Sequence, residues 1–389
     1  MAIYLDHNAT SPIRSEVAEA VREAWFTYHG NPASQHASGR AARARLASAR
    51  EKILALLDAD TSHNGDRIIF TSGGTEANNL AILGMAMART GGAPGRIIVS
   101  AIEHPSVLRA AEHLLDLGWR LDTLDVSRDG LINLDSLRAW IGPDVALVSV
   151  TLANHETGVI QPVAEVAAIC HFHGVPVHTD AVQAIGKIPV SFRLLGVDAM
   201  TVTAHKCGGP LGIGALIVRR DQPLLPILFG GEQQDGLRPG TESVALAVGM
   251  EVTFELALHE LDDTMPRMRS LQAQFEDYLK REIADIVVHG QGAPRLPQTT
   301  SLAVRGIDNQ LLLAALDAEG IECSIGSACS SGSAEPSATL LAMGVPRDLV
   351  RSSLRFSFGP RTTQEELITA ASTLADLVRR LRGKRQTPR

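Results

Sequence analysis

The ten residues Arg67-Ile68-Ile69-Phe70-Thr71-Ser72-Gly73-Gly74-Thr75-Glu76 decide how the chain is built. A β-rich run, Arg67–Phe70, gives way to a glycine-bearing turn and then to an amphipathic stretch, Glu76–Arg89. A strand feeding a helix through a short turn is half of a βαβ unit. The alternation continues outward from it. Further β-rich runs cover Arg96–Ser100, Ala146–Thr151, Val175–Thr179, Ala199–Thr203 and Gly214–Val218, with a helical stretch at Val163–His173. This predicts an α/β fold, a mostly parallel central sheet with helices on both faces. Cys207–Gly214 joins two strands too tightly for a parallel crossover, so one strand is expected to run antiparallel.

With 389 residues, 45% of them hydrophobic, the chain can bury a large core and is expected to split into two domains. A long helical pattern from about Ser243 to Ile286 bridges them, apolar in its first half and charged in its second. Beyond it lie a β-rich run at Thr300–Val304, a helix near Asn309–Ala318, another run at Arg355–Phe358 and an amphipathic helix from Gln364. That part reads as a smaller α+β domain.

The formal charge of −7, from 36 basic and 43 acidic residues, offers no broad basic field for nucleic acid. The basic run Arg379, Arg380, Arg382, Lys384, Arg385 reads as a solvated, frayed terminus rather than a nucleic-acid arm. No apolar run is long enough to span a bilayer, and the opening residues lack a signal-peptide pattern. Four cysteines, Cys170, Cys207, Cys323 and Cys329, suit a reducing cytoplasm better than a disulfide framework.

In open α/β sheets, ligands bind past the carboxyl ends of the strands. Polar residues follow five of them: Thr71–Glu76, Glu103-His104, Asn154-His155-Glu156, Asp180 with Gln183, and His205-Lys206. The Thr71–Thr75 turn is either an anion site, with free N–H groups at a helix start, or an ordinary turn with Thr75 as N-cap. It lacks both the nucleotide P-loop and the dinucleotide glycine spacing, which points to a single small phosphate.

Only five lysines occur: Lys52, Lys187, Lys206, Lys280 and Lys384. Lys52 and Lys280 lie on charged helix faces, and Lys187, in Gly186-Lys187-Ile188-Pro189, is expected in a surface turn. Lys206 alone follows a buried type of strand. It is either a desolvated amine, nucleophilic toward an aldehyde, or a hairpin lysine in a salt bridge. Asp180 would serve a pyridine nitrogen or cap the helix that starts at Ala181. His104 would stack on a ring and move protons, or merely occupy the turn before Pro105.

Ser324–Ser333 is a run of small residues with Cys329 in its middle, either a thiol nucleophile that must travel or a linker with an incidental cysteine. Cys323 and Cys207 are expected to pack. Arg355, inside an apolar strand, wants a carboxylate, either that of an amino-acid substrate or an internal one. Cys170-His171-x-His173 is a helix end rather than a metal site, since no second ligand pair has zinc spacing.

Together these motifs resemble the cysteine desulfurases, within the class-V aminotransferase group of fold-type-I pyridoxal-phosphate enzymes. The resemblance runs from Tyr4-Leu5-Asp6-His7-Asn8-Ala9-Thr10 and Gly30-Asn31-Pro32-Ala33-Ser34 through Thr71–Glu76, Glu103-His104, Asp180-Ala181-Val182-Gln183 and Ala204-His205-Lys206. It ends with Gly326-Ser327-Ala328-Cys329-Ser330, Glu335-Pro336-Ser337 and Leu354-Arg355-Phe356-Ser357. The long small-residue cysteine loop is similar to the group containing the nitrogen-fixation and housekeeping iron–sulfur desulfurases.

The resemblance implies pyridoxal 5'-phosphate as cofactor, with Lys206 as its Schiff-base lysine. His104 would stack on the ring, Asp180 would meet its nitrogen, and Gln183 its phenolic oxygen. Thr75, Thr203 and His205 would hold the phosphate, and Glu76 and His155 would also contact the cofactor. Asn154 and Arg355 would face the substrate, L-cysteine. Thr241 would reach the phosphate of a partner subunit, implying a homodimer, and Cys329 would pass sulfur to an acceptor or iron–sulfur scaffold protein. A large domain would span residues 15–258, and a small one residues 1–14 with 259–389.

Two positions depart from the family pattern. Asn154-His155 stands where two asparagines are usual, and Gln234-Asp235 where Glu-Arg usually precedes the glycine. Selenocysteine lysis or transamination on the same scaffold is the nearest alternative reaction, and a cofactor-binding protein without turnover the alternative of another class.

Overall fold

The computed structural model describes residues 2–326 and 336–385, with side chains to residue 383. The strands in chain order are β1 (Ile3–Tyr4), β2 (Arg67–Thr71), β3 (Arg96–Ser100), β4 (Arg120–Leu124), β5 (Val145–Ser149) and β6 (Val177–Asp180). They continue with β7 (Ala199–Thr203), β8 (Gly214–Val218), β9 (Ile286–Val288), β10 (Thr299–Val304), β11 (Ile321–Glu322) and β12 (Ser353–Ser357). Seven form the main sheet in the order β2-β8-β7-β6-β5-β3-β4. All neighbours are parallel except where β8 pairs antiparallel with β7 and β2. The tight Cys207–Gly214 connection thus makes the antiparallel strand that it predicts.

Successive strand residues face opposite sides of a sheet, and here both sides are apolar. Ile68, Phe70, Ile98, Val202 and Ile217 enter one core, packed under helices Ser15–Thr27, Ala37–Leu56, Val163–Phe172 and Val244–His259. Their neighbours Ile69, Ile97, Val99, Leu216 and Val218 enter a second core, beneath the 74–90 helical stretch and Pro105–Asp116. The runs read as continuously hydrophobic because both faces are covered. β4 escapes that signal: Arg120, Asp122 and Thr123 break its apolar run, as an edge strand with solvent at its flank allows.

β2, at the opposite edge, is closed by a side chain. Gln234 Oε1 accepts from Phe70 N at 2.7 Å, and Gln234 Nε2 donates to Phe70 O at 2.8 Å. The amide imitates one residue of a paired strand. Gln234 and Asp235 hold it there in left-handed backbone, φ 52° and 58°, at a cost of about 1–2 kcal/mol each. This is the role the structure gives the first of the two departing residues at 234 and 235.

The long helical pattern divides at Glu260. Val244–His259 packs in the main core, and Leu261–Glu282 sends Leu271, Phe275 and Leu279 into a third core. There they meet Leu5, the antiparallel sheet β12-β10-β9 and the helix Gln364–Arg385. β1 pairs in parallel with β11, which ties the N-terminal residues to this C-terminal unit. The last helix corrects the expected frayed terminus: Arg379 pairs with Glu282, Arg380 with Glu319 at 2.8 Å, and Arg382 with Asp285 at 2.7 Å. Acidic partners thus take up Arg379, Arg380 and Arg382. No helix among the described residues is long and apolar enough to cross a membrane.

Candidate active site

The carboxyl ends of β2, β3, β5, β6 and β7 open on one cavity of about 500 Å³, a size typical of small-molecule sites. Thr75, His104, His155, Asp180, Gln183, Thr203, His205, Lys206 and Arg355 all line it. Glu76, Asn154 and Thr241 do not. Glu76 is held by Arg238 at 2.7 Å and by Ser72 N. Asn154 secures its own loop, donating to Ile102 O and accepting from Glu156 N, Thr157 N and the Thr157 hydroxyl. Thr241 is exposed. Cys329 lies outside the described residues.

Lys206 stands on a short turn immediately after the buried strand β7. Its Nζ donates to the carbonyls of Asn8 at 2.7 Å and Ala9 at 2.5 Å. Beside it His205 is lowered to about 4, by burial first and then by Lys206 and Lys187, so its ring is neutral at pH 7. His155 is pushed well below its ordinary value by burial, then by His104, Arg355 and Lys206, and is neutral as well. Its ring meets that of His104 edge-on, centroids 5.3 Å apart. His104 caps its helix: Nδ1 accepts from Ser106 N at 3.1 Å, which leaves Nε2 as the donor nitrogen.

Asp180 does two things at once. Oδ1 accepts from Val182 N at 2.9 Å, closing the run of turns that stands where a helix from Ala181 was expected, while Oδ2 accepts from Asn78 Nδ2 at 2.8 Å within the cavity wall. Asn78 was not predicted. It projects from the helix one turn past Gly74, on the same face, and its buried Oδ1 has no hydrogen-bond partner. Gly214 lets the phosphate-type turn sit close to the sheet, since a Cβ there would lie 2.5 Å from the Gly73 backbone. The helix that follows continues to Thr90 through one π-type turn at Leu80–Met85.

Under the cavity floor is Glu103, fully buried. Its Oε1 accepts from the Ser100 hydroxyl and from Thr151 N at 2.7 Å. Thr151 in turn donates to Asp180 O at 3.2 Å. The carboxyl therefore ties the ends of β3, β5 and β6 together. Burial raises it to about 8, so it is protonated at neutral pH. Its position beside His104 in the sequence is the only advance sign of it.

Arg355 is 2% exposed on β12 and meets both expectations in part. It pairs with Asp6 at 2.7 Å and donates to His155 O at 3.0 Å, yet it also lines the cavity. The three described cysteines carry inert thiols. Burial pushes Cys170, Cys207 and Cys323 each up to about 12, and a thiol at that value is not the nucleophilic thiolate at neutral pH. His171 is paired with Asp198 at 2.8 Å rather than grouped with Cys170 and His173. Lys187 corrects the expectation of a surface turn: it is half-buried, with Nζ donating to Gln183 Oε1 at 3.0 Å.

The class-V aminotransferase profile matches residues 3–369. The chain belongs to the class-V aminotransferase family. Members of the family are generally pyridoxal-phosphate-dependent. Among its relatives, this class-V aminotransferase is 40% identical over 381 residues to a protein of Dictyoglomus turgidum named cysteine desulfurase IscS, covering 98% of this chain and 95% of that one. It is 41% identical over 385 residues to an IscS-like cysteine desulfurase of Mycobacterium tuberculosis, covering 97% of each. A solved structure described as a NifS-like protein superposes with a TM-score of 0.89 at 31% identity, over 97% of this chain and 100% of the other. As a class-V aminotransferase the chain has the expected α/β architecture, with the cavity residues carried by its strand ends.

Proposed function

We propose that the chain is a pyridoxal-phosphate-dependent cysteine desulfurase that converts L-cysteine to L-alanine and passes the sulfur to Cys329 as a persulfide, for iron–sulfur cluster assembly or another acceptor. The observation that carries the reading is the meeting of Lys206, Asp180 and Arg355, an amine, a carboxylate and a guanidinium, in one cavity.

The residues present fit the cofactor. An amine for its aldehyde stands on Lys206. A carboxylate for its ring nitrogen is fixed on Asp180 by two hydrogen bonds. Thr75, Thr203 and the neutral His205 line the same cavity as the glycine turn, a donor set suited to one phosphate. When bound, the cofactor supplies an electron sink for negative charge developing at the substrate Cα.

The protein's share of the work follows from its side chains. Arg355, held in place by Asp6 and the His155 carbonyl, would attract the cysteine carboxylate with its remaining N–H donors. Lys206, once freed, takes the Cα proton and returns it, with the Asn8 and Ala9 carbonyls marking its resting place. His104 offers its Nε2–H as a hydrogen-bond donor at the cavity wall. The Cys329 thiolate attacks the substrate sulfur. An S–S bond forms, the C–S bond breaks, and its electron pair stays on carbon, which is protonated to become the methyl group of alanine. The segment that carries Cys329 leaves the described chain at Gly326, whose carbonyl accepts from Arg355. It re-enters before Ser337, whose hydroxyl donates to Glu156 at 2.6 Å. Both ends are anchored next to cavity residues. Thr241, exposed outside the cavity, would serve the site of a second copy, which makes the active form a homodimer.

The test is release of alanine and sulfide from L-cysteine with a reductant, for the wild type beside Cys329→Ala. Equal amounts of both products, lost in the variant, are expected. Bound cofactor with a keto acid as product would replace desulfuration by transamination.

A further inference from the structure

Lys187 is a half-buried amine that no step above uses. It enters from the turn after β6 and donates to Gln183 Oε1 at 3.0 Å. Burial, and then the nearby charges of Lys206 and Arg355, bring its ammonium down to about 7, while Cys207 acts in the opposite sense. From the N-terminal segment His7 faces it, and from the β7 turn His205, both lowered to about 4.

The chemistry of a lysine settles which way the glutamine amide points. A charged lysine has three donors and no acceptor. While Lys187 is charged, Gln183 therefore keeps its oxygen toward it, as found, and its NH2 away. On that side Nε2 donates to Asn8 O at 3.0 Å, and Gln183 lines the cavity. Asn8 O is shared with Lys206 Nζ at 2.7 Å, and Lys206 must leave it to react. Lys187 is the partner that stays in place.

We propose that Lys187, in its charged form, is a positioning residue that holds the Gln183 amide with its NH2 toward the cavity, so that Gln183 acts as a hydrogen-bond donor to an anionic oxygen of the bound ligand. The inference rests on the functional reading above, in which that oxygen belongs to the pyridoxal ring. A donor there draws charge off the oxygen and weakens its hold on the neighbouring protonated nitrogen. Losing the donor raises the pH midpoint at which that nitrogen titrates.

The experiment is a pH titration of the visible band of the chain loaded with pyridoxal phosphate, which reads the ring's environment without turnover. Lys187→Met is expected to raise the midpoint by about one unit, a tenfold change in the proton equilibrium. Lys187→Arg, which keeps charge and donors, should recover at least half of the shift. On a Gln183→Leu background, Lys187→Met should add nothing, because two residues acting through one contact are not additive. A shift that persists in full on that background means that the lysine charge acts directly, and it overturns the positioning role. So does an unshifted midpoint in Lys187→Met. Should that variant not fold, Gln183→Glu asks the same question: it keeps a partner for Lys187 but offers no NH2, so its midpoint must rise, and an unchanged midpoint overturns the proposal. A wild type that takes up no pyridoxal phosphate overturns the functional reading and this inference with it, whereas a normal wild-type titration beside unshifted variants overturns this inference alone.

Discussion

Arg355 and Asp6 form a 2.7 Å ion pair across 349 positions of sequence. The pair joins the N-terminal segment to β12, where the Arg355 side chain is 3% exposed. A lysine has neither the planar fork nor the second parallel donor. Arg355→Lys is therefore expected to raise KM for cysteine by roughly tenfold to a hundredfold, about 1.4–3 kcal/mol of lost charge-assisted bonding, with a smaller loss in kcat. Steady-state kinetics beside an absorbance measure of cofactor content separates this from loss of the cofactor.

The amine of Lys206 and the thiol of Cys329 have separable roles. Lys206→Ala should abolish the visible band characteristic of a lysine-bound cofactor, together with turnover. Cys329→Ala should keep the band and lose both persulfide and sulfide. Spectra paired with thiol labelling check the two, and a Cys329→Ala protein with normal sulfide release would sink the sulfur-transfer step.

Glu103 makes stability depend on pH in a definite direction. Its folded value, about 8, lies above the ordinary carboxyl value of 4.5, so the folded state holds a proton that the unfolded chain releases between them. Stability from this group is whole below about 4.5 and falls as pH rises toward 8. Glu103→Gln cannot release that proton. Its stability relative to wild type should rise from pH 5 to pH 8, by on the order of a few kcal/mol at 1.36 kcal/mol per unit. Denaturant midpoints at the two pH values measure this, and a constant difference would show that Glu103 titrates normally.

Gly326 has φ 79°, and a Cβ there would lie 2.6 Å from Glu156 Oε2. Gly326→Ala therefore meets a steric contact and a left-handed backbone, together costing about 1–3 kcal/mol locally. Because this glycine is the anchor from which the cysteine segment departs, persulfide formation should fall while the cofactor band stays. Single-turnover labelling of Cys329 in the loaded variant reads the first effect and its absorbance spectrum the second.

Much of this molecule was legible in one dimension. Strands buried on both faces read as mainly apolar, β-rich runs rather than alternating ones, so Arg96–Ser100, Ala199–Thr203 and Gly214–Val218 were found at their observed limits. Strand ends in an open sheet converge by topology alone, which is why nine of the site residues named from sequence line one cavity. β4 was missed because an edge strand tolerates Arg120 and Asp122. Asn78 was missed because a helical asparagine carries no signal until its neighbours are known.

The chain's local pattern specified the α/β class, the antiparallel return at β8 and the polar residues at the strand ends, because periodicity and turn chemistry act between neighbours in sequence. Tertiary structure alone decided that Lys187 turns inward to Gln183, that Glu103 stays protonated beneath the cavity, and that Arg355 is already paired with Asp6. Those outcomes depend on burial and on charges contributed by distant segments, and neither exists until the main sheet, the N-terminal strand and the C-terminal sheet have packed together.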